Sequence, residues 1–474
     1  MKTPVFNALK KFAEEENTSF HMPGHKGKNT LVDWGKYIPL IDTTEVLGMD
    51  NLLEARGIIK ESQDLAAAVF GSKYTKYSLN GSTGSIYIAL SAITDPGDKV
   101  LIERNCHKAV YNALILNRLK PTYIYLHYNR DYNIHTGLDA DEIDRILGSD
   151  PDIKAVVLTY PNYYGVCSDL EKIARVVHKH GRVIMVDEAH GSHMGFSDRL
   201  PKSALASGAD IVVQSTHKTL PSFTQTSMIH VGTDRIDRDK LDDRFQLYIS
   251  TSPSYLFIAS CEIAAAYMDT EEARIKLEKN IDKCIETTKR LNDIEGVFAF
   301  TSDKDDGTIY AKDPTKILFR IEGMSGRELE RELYERHDLM LEMTDYYYGL
   351  ALTSLMNEDE DYDRLVEAVR DLAKSVQDKG IVPVSIKMPE PLISLPIYKA
   401  YYMKRKDVDL DKSIGHVAAQ SLIPYPPGIP ILVPGEVITD DLYRTIVFLI
   451  ENDIEIVGLM GYNKDKVTVI DKGD

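Results

Sequence analysis

The chain has 474 residues, 43% of them hydrophobic and 27% charged, the balance of a globular protein too long for one hydrophobic core. Lys and Arg number 56 against 73 Asp and Glu, and a formal charge of −17 argues against nucleic acid or an anionic membrane as partner, because phosphate binding needs a basic face. Cys106, Cys167, Cys261 and Cys284 lack metal-ligand spacing, no run is long enough to cross a bilayer, and the opening MKTPVFNALKKFAEEE lacks the apolar stretch of a signal peptide, so a cytoplasmic, metal-free protein is expected.

Residues 1–57, punctuated by HMPGHKGK, read as an extended N-terminal arm. An amphipathic helix is expected from Ile58 to Phe70, ending at Gly71. Short apolar runs then alternate with helical stretches: KVLIE at 99–103, PTYIYLH at 121–127, IKAVVLTY at 153–160, RVIMVDEAH at 182–190 and DIVVQSTHK at 210–218. Several of these runs lack period-two alternation, as befits parallel strands covered on both faces. The pattern predicts a doubly wound α/β large domain over 58–295, in which ligands gather at the carboxyl ends of strands. One long helical stretch is expected over 252–294. A smaller α+β domain over 296–474 follows, with KILFRIEG as a strand, SGRELERELYERH and EDYDRLVEAVRDLAKSVQ as helices, a Pro-rich run YPPGIPILVPGE, then a helix and a strand EIVGLMG.

Lys218 follows an apolar run and is flanked by Ser215, Thr216, His217 and Thr219. A lysine that forms a Schiff base needs a partly desolvated amine, and neighbouring hydroxyls and an imidazole suit a phosphate. Asp187 ends RVIMV, where a carboxylate can pair with a protonated pyridine nitrogen, although Asp at a strand end also caps helices. His190 either lines the same crevice or satisfies a turn. Gly81, Ser82, Thr83 and Gly84 open a helix whose N-terminal amides favour an anion, and many such loops merely cap. This loop is neither a Walker loop nor a dinucleotide fingerprint. His107, between a strand and a helix, can stack on an aromatic ring or simply start the helix.

Together these segments resemble the fold-type I pyridoxal-phosphate enzymes and, more narrowly, the bacterial ornithine/lysine/arginine decarboxylase family. FHMPGHKG, NGSTGS, RNCHKAVYNAL, YPNYYGV, VDEAHGSH, STHKTLPSFTQ, TSPSYL and YPPGIPILVPGE stand in that family's order across nearly the whole chain. The resemblance implies pyridoxal 5′-phosphate as cofactor, with Lys218 as its Schiff-base lysine, Asp187 on the pyridine nitrogen, His107 stacked on the ring and Ala189 against its other face. It implies a phosphate site from Ser82, Thr83, Gly84, Ser215 and His217, with Thr251 or Ser252 serving a neighbouring subunit. The Pro-Gly-His segment comes without the wing domain of the long members, so the resemblance is to the short, biosynthetic arginine-decarboxylase form, and a homodimer or homotetramer with active sites at the subunit interface is expected.

The implied reaction is decarboxylation of a basic amino acid in polyamine metabolism, with arginine expected first, lysine second and ornithine third. Glu436, in VPGEVIT, is the expected partner of the substrate's distal cation, and a solvated loop glutamate is the competing reading. His25 and Lys26 are expected either to reach an active site from the arm or to pack in an interface. An aminotransferase on the same fold, with Arg320 holding the α-carboxylate, is the alternative enzyme. A non-catalytic cofactor-binding regulator is the alternative of another class.

Overall fold

The computed structural model describes Leu9, Ala13, Glu14, residues 17–28, 31–302, 307–376, 390–425 and 428–471, and Gly473. Seven strands form the large sheet: β1 (Tyr74–Ser78), β2 (Lys99–Glu103), β3 (Lys120–Ile124), β4 (Ile153–Thr159), β5 (Val183–Asp187), β6 (Ile211–Gln214) and β7 (Ser227–Val231). Their order is β1-β7-β6-β5-β4-β2-β3, and β7 is antiparallel to both of its neighbours while β6, β5, β4, β2 and β3 run parallel.

The missing alternation has its cause in burial on both faces. Along β2 and β4, Val100, Ile102, Ala155 and Val157 join one core, while Leu101, Val156 and Leu158 join another. The first core is closed by helices α1 (Ile58–Phe70), α2 (Gly81–Ile93) and α3 (Lys108–Leu116). The second is closed by α4 (Ala140–Ser149) and α5 (Leu170–Lys179). The doubly wound expectation holds. β6 ends at Gln214, and the chain turns through Ser215 into the one-turn helix α6 (Thr216–Thr219), so THK is helix rather than strand.

Helix α7 (Arg238–Tyr248) leads to the segment expected as one helix over 252–294, which is instead two, α8 (Tyr255–Met268) and α9 (Glu271–Asn292). The break is a new N-cap: Thr270 Oγ1 accepts from the amide of Ala273, and Glu271 and Glu272 favour the positive end of α9.

The small domain holds an antiparallel sheet of β8 (Val297–Ala299), β9 (Lys316–Ile321), β10 (Met343–Thr344) and β11 (Gly349–Leu352), ordered β8-β9-β11-β10. Helix α9, α10 (Gly326–His337) and α11 (Asp359–Ser375) cover it. The arm is tied in: Thr18–Phe20 pairs in parallel with Leu339–Leu341, and Phe20 is wholly buried in the small-domain core.

Near the end of the chain, β12 (Arg405–Asp409) pairs with β13 (Lys466–Ile470) beside α12 (Asp440–Glu451), around a separate core that includes Leu410, Leu432, Ile446 and Val467. EIVGLMG contributes only Ile456–Val457 to a strand, paired with Ile423–Pro424. Pro426 and Pro427 of the YPPGIP run lie outside the described residues. Among the described residues no helix is long and apolar enough to cross a membrane.

Candidate active site

Parallel β4, β5 and β6 end side by side, and their carboxyl ends bring the chemistry together. Asp187 closes β5, in register with Thr159 of β4 and Val213 of β6. Lys218 stands one helical turn beyond β6. A single cleft is lined by Ser82, His107, Thr159, Tyr163, Asp187, Ala189, His190 and Lys218. Residues far apart in sequence thus meet in one place.

Lys218 Nζ donates to His190 Nε2 at 3.0 Å. Burial lowers the amine's pKa, opposed by the carboxylates of Glu342 and Asp187. His190 is held neutral well below its ordinary value by burial and by the Lys218 charge, so its Nε2 is free to accept. Its Nδ1 is buried without a hydrogen-bond partner among the described residues, and the ring meets Tyr163 edge-on at 5.4 Å. Asp187 accepts from the amide of Ala189 at 3.2 Å, and burial raises it to about 6 against the pull of Lys218.

His107 accepts from the amide of Ala109 at 3.2 Å and so N-caps α3. The same ring lines the cleft, and burial lowers it to about 3, so it is an uncharged plane. The ring thus starts the helix and lines the cleft at once.

The loop that opens α2 has a telling detail. Asn80 occupies the N-cap of α2 but turns its amide away, to the carbonyl of Tyr248 at 2.9 Å, so the helix has no side-chain cap. Gly81 there has φ +65°, a backbone that glycine adopts without strain. Gly81 donates its amide to the carbonyl of Gln225 and Gly84 to that of Asn80, which leaves the amides and hydroxyls of the partly exposed Ser82 and Thr83 ready for an anion. Gly84 is buried, and a Cβ on it would stand 2.6 Å from Asn80 Cβ. Ser215 Oγ is buried with no hydrogen-bond partner among the described residues. His217 Nδ1 donates to the carbonyl of Thr226 at 2.7 Å, and burial lowers the ring to about 4.

Other expected site residues fall elsewhere. Glu436 does not line the cleft: it is buried against Arg104 at 3.2 Å and accepts from the amide of Val433 at 2.9 Å. Arg104 also donates to Tyr111 Oη at 2.6 Å and to the carbonyl of Pro430 at 2.9 Å, fastening the closing segment to the large domain. That segment reaches the site. A Cβ on Gly428 would stand 3.5 Å from His107, and the amide of Lys108 donates to the carbonyl of Gly428. Arg320 stacks on Phe298 and Tyr348 within the small domain and does not line the cleft. Thr251 and Ser252 are exposed beyond the end of α7.

The arm touches the lysine-bearing loop from behind. Gly24 donates its amide to the carbonyl of His217 at 2.6 Å and accepts from Ser354 Oγ at 2.6 Å. His25 lies edge-on to Phe223 and outside the cleft lining. Lys26 is buried, brought down to about 7 by that burial, and donates to the carbonyls of His21 and Leu352 at 2.8 Å each. Lys26 is a fastener between arm and small domain.

Sequence reasoning missed Thr159, Tyr163 and Glu103. Glu103 is fully buried at the end of β2, on the other side of β4 from Asp187, and accepts from the amide of Thr159 at 3.1 Å. Burial raises it to about 8. A glutamate closing an otherwise apolar run was the available signal.

Residues 3–358 match the model of the Orn/Lys/Arg decarboxylase major domain, and residues 397–458 match that family's C-terminal domain. The chain belongs to the Orn/Lys/Arg decarboxylase family. Among its relatives, an arginine decarboxylase of Bacillus subtilis is 33% identical over 93% of this chain and 92% of its own length. The lysine decarboxylase LdcA of Pseudomonas aeruginosa is 26% identical over 92% of this chain and 74% of its own. The solved lysine decarboxylase LdcF of Francisella novicida superposes with a TM-score of 0.77 at 21% identity, over 99% of this chain and 81% of that one, which shows a shared fold. As a member of this family the chain is a decarboxylase of basic amino acids.

Proposed function

We propose that the chain decarboxylates arginine to agmatine with pyridoxal 5′-phosphate, ahead of lysine and ornithine, and that it works as a homodimer or homotetramer in the cytoplasm. The meeting of Lys218, His190, Asp187 and His107 in one cleft carries the cofactor reading. Similarity over more than nine-tenths of the chain to proteins named arginine decarboxylase favours arginine.

The residues present fit the cofactor. Ser215 Oγ and His190 Nδ1 are buried without partners, and α2 begins without a cap. The amides and hydroxyls of Ser82 and Thr83, with Gly84 beside them and Ser215, would hold the phosphate. His217, whose Nδ1 is held by the carbonyl of Thr226, would join them. Thr251 or Ser252 would serve a neighbouring subunit's phosphate. When bound, pyridoxal phosphate supplies an aldehyde for the amine and a ring that withdraws electrons from the α-carbon.

The chain's own groups do the rest. Lys218 is desolvated and bonded to a neutral imidazole, and burial lowers its pKa toward the uncharged amine that acts as a nucleophile. Asp187, at the floor of the cleft, would hold a proton on the pyridine nitrogen. His107 and Ala189 would sandwich the ring. The cleft's aromatic and buried walls weaken solvation of the substrate carboxylate, whose charge is lost in the reaction.

The direct test offers arginine, lysine and ornithine side by side and measures carbon dioxide and amine product. Agmatine with carbon dioxide is expected; a keto acid in place of carbon dioxide overturns the reading in favour of transamination. Lys218→Ala is expected to lose both turnover and the near-visible absorbance of bound cofactor. Unchanged turnover in that variant refutes the role of Lys218.

A further inference from the structure

A second and larger cavity, of about 430 Å³, lies beside the Lys218 cleft. Its walls come from three parts of the chain: Tyr128 and His135 of the large domain, Glu330 and Tyr346 of the small domain, and Tyr425 and Glu455 near the end. The two spaces share a partition. Tyr163 lines the cleft and Tyr164 the cavity; His107 lines the cleft and Asn105 the cavity. Gly428 stands in that partition, where a Cβ would be 3.5 Å from His107 and 3.8 Å from Tyr425.

The cavity's chemistry is that of a cation site. Four carboxylates line it, from Glu330, Asp345, Asp453 and Glu455, against the one guanidinium of Arg327, which is turned toward the carbonyl of Asp453. His135 adds no charge, because burial lowers its pKa. Asp345 is engaged by the Tyr164 hydroxyl at 2.9 Å and by the amides of Tyr347 and Tyr348, and Glu455 by Lys464 at 2.8 Å. Glu330 accepts from Thr344 Oγ1 at 3.2 Å, the one bond recorded to it among the described residues, and a carboxylate has room for more. Tyrosine rings beside carboxylates favour organic cations, which the ring faces attract and the carboxylates neutralise.

We propose that this cavity is a staging site for organic cations of the alkylguanidinium or alkylammonium class, through which a basic amino acid reaches the Lys218 cleft. The proposal rests on the reading of the chain as a basic amino-acid decarboxylase. It adds a site outside the reacting centre, with Glu330 and Tyr425 as the groups that hold the cation. Neither residue lines the cleft.

Calorimetry on the cofactor-loaded enzyme tests it, with methylguanidine as the probe and N-methylurea as its uncharged counterpart. Methylguanidine is expected to bind and N-methylurea to fail. Glu330→Gln and Tyr425→Leu are each expected to weaken methylguanidine about tenfold, equivalent to about 1.4 kcal/mol. The KM for arginine rises by the same factor, while the absorbance of bound cofactor stays as it was. Tyr425 is 53% exposed, so its replacement keeps the test available should Glu330→Gln fold poorly. Unchanged methylguanidine binding in a folded variant of both kinds, or equal binding of N-methylurea, overturns the proposal. An enzyme that releases no carbon dioxide from any basic amino acid refutes the proposed function instead, and the methylguanidine titration still decides the cavity.

Discussion

Gly24 offers a sharp test of whether the arm governs the loop that carries Lys218. An alanine Cβ there would stand 2.5 Å from the carbonyl oxygen of Leu220, 2.9 Å from its amide nitrogen and 2.9 Å from the carbonyl carbon of Thr219. All three are backbone atoms and cannot rotate away, so the arm must retreat by about 1 Å to reach ordinary contact. That retreat breaks the 2.6 Å bond from Gly24 to His217 and strains the one from Ser354. Overpacking of this kind costs about 1–3 kcal/mol and a lost hydrogen bond about 1 kcal/mol more. A total of about 2–4 kcal/mol corresponds to a factor of about 30 to 1000. Gly24→Ala is therefore expected to weaken cofactor binding at least about 30-fold in an absorbance titration, with arginine turnover falling alongside. Gly27→Asn is the control: a side chain there meets open space, and asparagine tolerates the left-handed backbone at φ +74°. Wild-type cofactor affinity in Gly24→Ala refutes the argument.

Glu436→Ala leaves the Arg104 guanidinium buried and unpaired, so denaturation in urea is expected to show a loss of about 3–5 kcal/mol; an unchanged midpoint, with altered selectivity among basic amino acids, returns Glu436 to the substrate. Glu103 and Glu188 are raised by burial from 4.5 to about 8, so at neutral pH both are protonated in the fold and ionised in the unfolded chain. Stability from these groups is full below about 4.5 and is lost as pH rises through about 8, so the urea midpoint of the cofactor-free protein is expected to fall over that window. Glu103→Gln is expected to flatten part of that slope, and an identical slope in the variant contradicts it.

Much of the large domain was legible because its strands are covered on both faces and so read as unbroken apolar runs. β7 was missed: SMIHV has the same composition, but it runs antiparallel between β1 and β6, an arrangement that local pattern does not encode. β1 was missed because TKYS is polar by composition, and its lysine pairs with Asp242 of α7 at 3.0 Å. Lys218, Asp187 and His190 were readable from their positions at strand ends. The pairing of Glu436 was not legible because its partner, Arg104, lies more than three hundred residues away, and no local feature of ERNCH marks that arginine as a fastener. The contact of Gly24 with His217 was invisible for the same reason. A glycine beside a proline announces a turn, and the backbone on which it rests is a matter of tertiary docking.

The closing contact of Gly428 on His107 bears on how the enzyme is made. A ribosome delivers the chain from its first residue onward, and the large sheet is complete once β7 has emerged, some two hundred residues before Gly428. Until then the cleft around Lys218 lacks the packing of Gly428 on His107 and lacks the Arg104–Glu436 clasp. Contacts of such long sequence separation form late. A chain cut before Gly428 is therefore expected to lack both contacts and to release no carbon dioxide from arginine, which an assay of the truncated protein checks.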